Sequence, residues 1–275
     1  MSNSVITLYD IPGNATKDKA WSPNVWKTRY ALNSKRIPYK VEWVEYPDIK
    51  STCERLGVPP SEFQLKNGKN EPLYTVPFIY DPKTQTYVSE SFHIAQYLES
   101  TYPDTPKLFP EGPLNGAAAL NLFEDVWMEK FLTPIRPLMM LKVHNQLNPA
   151  SQPFFRETRE AYLGKKLEDL MPEDKERQKE MWAAVKAGLG KIDGYMNWNG
   201  TATTFWRGDV RSYADFVMAA WLVWVQRIWR KGSPEWTELA AWHGGRWNKL
   251  VSEFENWEYA DELENHNPKA SAMLQ

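Results

Sequence analysis

Three short stretches of the sequence place groups that could do chemistry at the start of a structural element. The first is Trp21-Ser22-Pro23-Asn24-Val25-Trp26, where a lone hydroxyl stands between an irregular loop and a helical pattern. Serine at the N-cap followed by proline at the first helical position is a common helix opening, in which the hydroxyl accepts an orphan backbone N–H. The same position lies at the positive end of the helix dipole, which favours an anion such as a thiolate, and a hydroxyl there can donate to sulfur. Asn24 is a second donor in that first turn. Residue type does not separate the two roles; geometry must. A serine hydrolase is disfavoured, because Ser22 sits in no G-x-S-x-G elbow and none of the four histidines is marked as its base.

The second stretch is Val76-Pro77, at the opening of the apolar run Thr75 to Asp81. Proline there removes a ladder donor. About one X-Pro bond in twenty is cis; if this one is, the Val76 backbone turns outward, free to pair with an extended, peptide-like ligand. The third is Glu90-Ser91, ahead of the helical pattern Phe92 to Tyr102. The plain reading makes Ser91 an N-cap with Glu90 an acidic neighbour of the positive helix end. The alternative is a head-group site, in which the helix end and hydroxyl bind a carboxylate while Glu90 binds an ammonium.

Composition narrows the classes. Net charge is −2, from 33 basic and 35 acidic residues well mixed along 275 positions, without the basic excess that counterion release on nucleic acid requires. A single cysteine, Cys53, excludes an internal disulfide framework. His93, His144, His243 and His266 are too scattered for a metal cluster, so no metal is expected. No cationic leader runs into an apolar stretch, and no run approaches the roughly 20 apolar residues of a membrane span, so a cytoplasmic protein is expected. Of 14 tryptophans, ten fall between Trp182 and Trp257. Such a concentration suits either a platform for flat aromatic ligands or core packing, and packing is the commoner use.

These groups need elements to hold them. Val5 to Ile11 reads as a buried strand, Pro23 to about Ser34 as a helix with Lys27, Arg29 and Lys35 turned to solvent, and Tyr39 to Tyr46 as a strand parallel to the first. A short helix is placed at Ile49 to Leu56, then loop through "GVPPSEFQLKNGKNEP", then a hairpin, "TVPFIYD" and "TYVSE", then the helix from Glu90-Ser91. Four prolines in "YPDTPKLFPEGP" mark a stiff connector. Beyond it Leu114–Leu147, Phe154–Leu170, Asp174–Trp198, Ser212–Arg230 and Pro234–Leu263 carry helix-length apolar patterns. Phe216 to Gln226 has no charge and reads as a helix buried on all sides, opened by a Ser212/Asp215 capping box. The expected organisation is α/β plus all-α, with residues 1–104, a linker at 105–113, an all-helical domain at 114–265 and a tail at 266–275.

The order of these signals, with "WSP", "VP", "SESFHIAQYLESTYP", "LFP" and "SYADF", resembles the cytosolic glutathione transferases. The run "WSPNVWKTRYALNSKRIPYKVEWVEY" is most similar to the fungal-specific class A enzymes, which are related to bacterial lignin β-etherases. The resemblance implies an N-terminal thioredoxin-like domain and a C-terminal all-helical domain, glutathione as co-substrate and a homodimer. It implies that Ser22 hydrogen-bonds the glutathione sulfur, Val76 before a cis Pro77 pairs with the cysteinyl unit, and Glu90 and Ser91 hold the γ-glutamyl group. Asn24 is a further donor, and Lys66 or Lys69 a candidate for the glycyl carboxylate. Thiol-exchanging relatives carry a cysteine at the first helix start, whereas Cys53 lies far from it. The long loop from Pro12 to Trp21 is expected to cover the site. Two functions follow. Either activated glutathione attacks an apolar or aromatic electrophile in a cleft between domains, by conjugation, thiol transfer or aryl-ether cleavage, or the protein mainly carries aromatic, wood-derived phenolic ligands. Trp26, Phe123 and Trp127 are candidates to line that apolar site, although Phe123 and Trp127 at helical spacing also suit core packing.

Overall fold

The apolar N-terminal run forms β1 (Ile6–Asp10), from which a loop leads to α1 (Pro23–Ser34) and then β2 (Tyr39–Trp43). In this computed structural model the described residues are 5–16, 18–66, 69–109, 117–200 and 203–258, without the side chains of 64–66, 69, 117, 118 and 121. After β2 come α2 (Ile49–Leu56), a separate two-stranded ribbon of β3 (Glu62–Lys66) and β4 (Lys69–Leu73), the hairpin of β5 (Phe78–Asp81) and β6 (Thr86–Ser89), and α3 (Ser91–Thr101). The main sheet has the order β2-β1-β5-β6, with β2 parallel to β1 and the remaining pairs antiparallel. This is a thioredoxin-like α/β unit.

Two sequence expectations change here. Strand β2 stops at Trp43, because Pro47 lies in a 3₁₀ turn at Tyr46–Asp48. The segment read as loop contains the β3–β4 ribbon, paired from Glu62↔Leu73 to Lys66↔Lys69. Pro72 is tolerated in it because a two-stranded ribbon has only edge strands.

Helix α1 also departs from expectation. Lys27, Arg29 and Lys35 are buried rather than solvated. The Lys35 ammonium reaches Glu99 at 2.8 Å, Thr105 Oγ1 at 2.8 Å and the Pro106 carbonyl at 3.2 Å, while Glu99 also accepts the Leu108 N–H at 3.1 Å. The first part of the proline-rich connector is therefore fastened to the α/β unit; residues 110–116 lie outside the described residues.

The described residues divide after Leu108, and residues 254–258 return to the first unit. Phe254 packs on Tyr30 with ring centroids 4.9 Å apart, and Asn33 donates to the Trp257 carbonyl at 2.7 Å. Residues 254–258, expected within the helical domain, thus belong with the first unit; the expected end at 265 and the tail 266–275 lie outside the described residues.

The second unit contains α4 (Ala117–Trp127), a π-helical turn at Met128–Leu132, α5 (Thr133–Gln146), α6 (Gln152–Leu163), α7 (Lys175–Met196), α8 (Tyr213–Trp229) and α9 (Pro234–Ser252). Helix α8 is its core, buried at every residue but Ile228. Asp215 accepts the Ser212 N–H at 2.8 Å, the Ser212 hydroxyl at 2.9 Å and the Trp206 N–H at 2.6 Å, fixing where α8 begins. The single helix read over Leu114–Leu147 is interrupted by the π turn, just ahead of Pro134 and Pro137, which have no N–H for the ladder. The π turn packs against Gly188 of α7, where a Cβ would collide with the Lys130 carbonyl. The last pattern ends at Ser252, not Leu263, and is broken at Trp242–Gly245, with positive φ at His243, Gly244 and Gly245.

Candidate functional site

Register gathers the three suspected stretches at one end of the sheet. Tyr9 pairs with Phe78, and Phe78 with Ser89. The chain leaving β1 toward Ser22, the chain entering β5 through Val76-Pro77, and the chain leaving β6 into Glu90 therefore share that end. Helices α1 and α3 pack together, so their N-terminal turns belong to one construction.

The loop from β1 to α1 folds back on itself. Pro12 and Ala20 form an antiparallel bridge, the Gly13 N–H donates to the Lys19 carbonyl at 3.1 Å, and Asp18 accepts the Ala20 N–H at 3.2 Å. Trp26 of α1 donates its indole N–H to the Ala20 carbonyl at 3.3 Å, tying the returning arm to the helix it leads into.

Ser22 is the N-cap of α1 in position, extended at φ −67° and ψ 121°, and its carbonyl accepts the Trp26 N–H at 3.0 Å. Its hydroxyl makes no cap hydrogen bond, and no acidic side chain sits in the first turn. The capping role available from sequence is thus unused. Pro23, at the first helical position, has no orphan N–H to satisfy, and Asn24 beside it is exposed.

The Val76–Pro77 bond is cis. Val76 makes no backbone hydrogen bond among the described residues, and the Pro77 carbonyl accepts the Glu90 N–H at 3.2 Å, joining the second stretch to the third.

Glu90, not Ser91, is the N-cap of α3. Its Oε2 accepts the N–H groups of Phe92 at 2.9 Å and His93 at 3.2 Å, and its Oε1 accepts the Ser91 hydroxyl at 2.9 Å. Ser91 is the first helical residue and is buried. Glu90 holds φ at +72° and ψ at 133°, a region that costs a side-chain-bearing residue roughly 1–3 kcal/mol and often marks a functional position.

The other sequence candidates fare differently. The side chains of Lys66 and Lys69 lie outside the described residues. Trp26 is fully buried, packed on Tyr30; Phe123 packs on Trp206 at 4.5 Å and Trp127, fully buried, on Phe131 at 4.8 Å. All three are spent in packing and present little or no surface to a ligand. Cys53 is buried on α2, and burial pushes its thiol up to about 11, so it is inert at neutral pH.

An ion pair outside the three stretches lies beneath this site. Arg29 donates to Asp10 at 2.7 Å, both side chains having essentially no exposure. Burial pushes the Asp10 carboxyl up from its ordinary range against the pull of Arg29. The signal was available: Arg29 follows Val25 by four residues and Trp26 by three, which places it on the apolar face. Among the described residues no group of His, Cys, Asp and Glu could hold a metal, and no helix is long and apolar enough to cross a membrane.

Comparisons with known proteins agree with this fold. Family models described as the N-terminal and C-terminal domains of glutathione S-transferase match residues 18–106 and 118–257. A glutathione S-transferase of Ceriporiopsis subvermispora, whose crystal structure is a complex with glutathione, is 42% identical with a TM-score of 0.87, over 94% of this chain and 99% of its own. Glutathione transferase GSTFuA3 of Phanerochaete chrysosporium is 39% identical with a TM-score of 0.85, over 94% and 98%. A glutathione S-transferase-like protein of Aspergillus flavus, ustS, is 31% identical over 268 residues, 90% of this chain and 91% of its own.

Proposed function

The chain belongs to the glutathione transferase family, and from that premise we propose that it binds glutathione at this sheet end and uses Ser22 to hold the sulfur as a thiolate for attack on an apolar or aromatic electrophile. The observation that carries this reading is the Ser22 hydroxyl, on a largely buried residue at the positive end of α1 and unused by the helix it caps. An anion there gains a charge-assisted hydrogen bond, about 1.5–3 kcal/mol, and the dipole adds about 0.3–1 kcal/mol. One pKa unit is about 1.4 kcal/mol, so together these lower a thiol by about one unit or more; a shift of one to two units from the ordinary value of about 8.5 raises its thiolate fraction at pH 7 about eight- to twenty-fivefold. The complex of the Ceriporiopsis relative with glutathione supports the choice of thiol.

The remaining groups divide the tripeptide. The unpaired backbone of Val76 pairs with the cysteinyl unit, as expected for an extended ligand. Glu90, aided by Ser91, receives the γ-glutamyl head: its carboxylate already spans α3's first turn, and its strained backbone holds that carboxylate in place. Asn24, exposed at the α1 terminus, is a second donor.

The carrier reading, implied by the resemblance, drew its support within the sequence from aromatic content. Trp221, Trp224, Trp229, Trp236, Trp242 and Trp247 are buried in the helical unit, which accounts for most of the concentration by packing and leaves catalysis the better reading. We further propose a cytoplasmic homodimer, to be checked by sedimentation. The direct test of function is Ser22→Ala: kcat for conjugation falls tenfold or more, KM for glutathione changes less than about threefold, and the fold is kept. Unchanged turnover would refute the role of Ser22.

A further inference from the structure

The Asp10–Arg29 pair lies below the candidate site and has no place in the reading above. Asp10 ends β1; its Oδ2 binds Arg29, its Oδ1 accepts the Ile11 N–H at 2.6 Å and its carbonyl accepts the Val44 N–H at 2.8 Å. The carboxylate therefore holds the first peptide of the loop that ends at Ser22. Arg29 lies nearly two turns into α1, with its guanidinium carbon 5.5 Å from the Trp26 ring centroid, 5.9 Å from that of Tyr39 and 5.7 Å from that of Trp43. Trp26 in turn donates to the Ala20 carbonyl, two residues before Ser22. A continuous path of contacts runs from Asp10 through Arg29 and Trp26 to Ala20, and so holds both ends of the loop.

An ion pair at this depth is a poor means of gaining stability. Desolvating two charges offsets most of their attraction, and apolar replacements of such pairs are often neutral or stabilising. What the pair supplies is direction: a planar guanidinium fixed to one carboxylate and surrounded by three rings sets where α1 stands along β1. Hydrogen bonds to a developing or stable anion depend on placement to within about 0.5 Å.

We infer that the buried Asp10–Arg29 pair, acting through Trp26 and the Ala20 carbonyl, is a positioning device for Ser22 that sets the acidity of the bound thiol. The inference rests on the proposed role of Ser22 in thiol activation. Asp10 and Arg29 touch no substrate; they act on the thiol only through where they place the hydroxyl.

The experiment compares the thiol pKa of bound glutathione, kcat, KM for glutathione and melting temperature in the native protein, Asp10→Asn/Arg29→Met, Trp26→Phe and Ser22→Ala. The double substitution removes both charges and keeps an acceptor for the Ile11 N–H. It is expected to raise the bound-thiol pKa by about one unit and lower kcat about tenfold at neutral pH, with KM near native. Trp26→Phe keeps a ring beneath Arg29 and deletes the donor to Ala20 together with part of the buried ring; it is expected to change the same two quantities in the same direction, and, with its melting temperature reading the lost packing, it decides the matter if the double variant does not fold. A native thiol pKa and kcat in Trp26→Phe, or in a folded double variant, overturn the positioning role. If Ser22→Ala has lost activity in that same experiment, the inference alone fails; if Ser22→Ala keeps the native thiol pKa, the reading of Ser22 fails and the inference with it.

Discussion

At Ser22 the two roles open to an N-cap serine differ in their cost on removal. A hydroxyl that caps loses about 1 kcal/mol of stability when deleted; this one makes no cap bond, so Ser22→Ala should unfold within about 0.5 kcal/mol of the native protein in urea. At Cys53 the expectation is inertness: with its thiol pushed up to about 11 by burial, Cys53→Ala should keep native turnover, and the native protein should resist alkylation at pH 8 until denatured. The sequence carried the residue types and spacing of Ser22, Val76 and Glu90. It did not carry the backbone angle that makes Glu90 the N-cap, since positive φ at a glutamate is imposed by the turn from β6 to α3 rather than by any local preference. For Arg29 the spacing from Val25 and Trp26 placed it on the apolar face without naming its partner Asp10, and nothing local revealed that Lys27 and Lys35 are buried, because burial of a charge depends on partners such as Glu99 that lie far along the chain.

Among the elements, α1 and α2 lie where the sequence approximately placed them; Ser-Pro opens the one, and Gly57, left-handed at φ 70°, closes the other. The β3–β4 ribbon was obscured by Pro72, and the Asn67-Gly68 pair between its arms was the overlooked signal. The π turn was illegible, because periodicity continues through it; what it does is let the Lys130 carbonyl lie against α7. Gly188→Ala should therefore cost about 1–3 kcal/mol, seen as a lowered denaturation midpoint, with glutathione binding kept in the protein that remains folded. The break in α9 gives a pH effect of known sign. His243 Nδ1 accepts the Trp247 indole N–H at 2.8 Å, so the ring is neutral in the fold, and burial lowers its pKa against the influence of Asp193 and with that of Lys186 and Arg246. The unfolded chain binds this proton first as pH falls. Stability from this group is full above about pH 6.5 and is lost as pH drops through the lower folded value. His243→Asn, which tolerates the positive φ, should flatten that part of the stability curve.

For the molecule as a whole, the division into an α/β unit and a helical unit was visible in the change from alternating strands and helices to helices alone, while the return of residues 254–258 to the first unit was not. That return depends on Phe254 meeting Tyr30 and on Asn33 reaching the Trp257 carbonyl, contacts more than 200 residues apart that no local pattern encodes. Glutathione at a hundred times its Kd should stabilise the protein by about 2.7 kcal/mol, and nearly as much in Ser22→Ala, because Val76 and Glu90 would still hold the peptide. Binding and activation separate at that point, and one titration reads the activation alone: the pH dependence of thiolate absorbance from glutathione bound to the native protein and to Ser22→Ala. The native complex should ionise about one to two units below the ordinary thiol value of about 8.5, and the variant close to it. The same low pKa in both, or an unshifted one in both, would contradict a role for Ser22 in holding the thiolate.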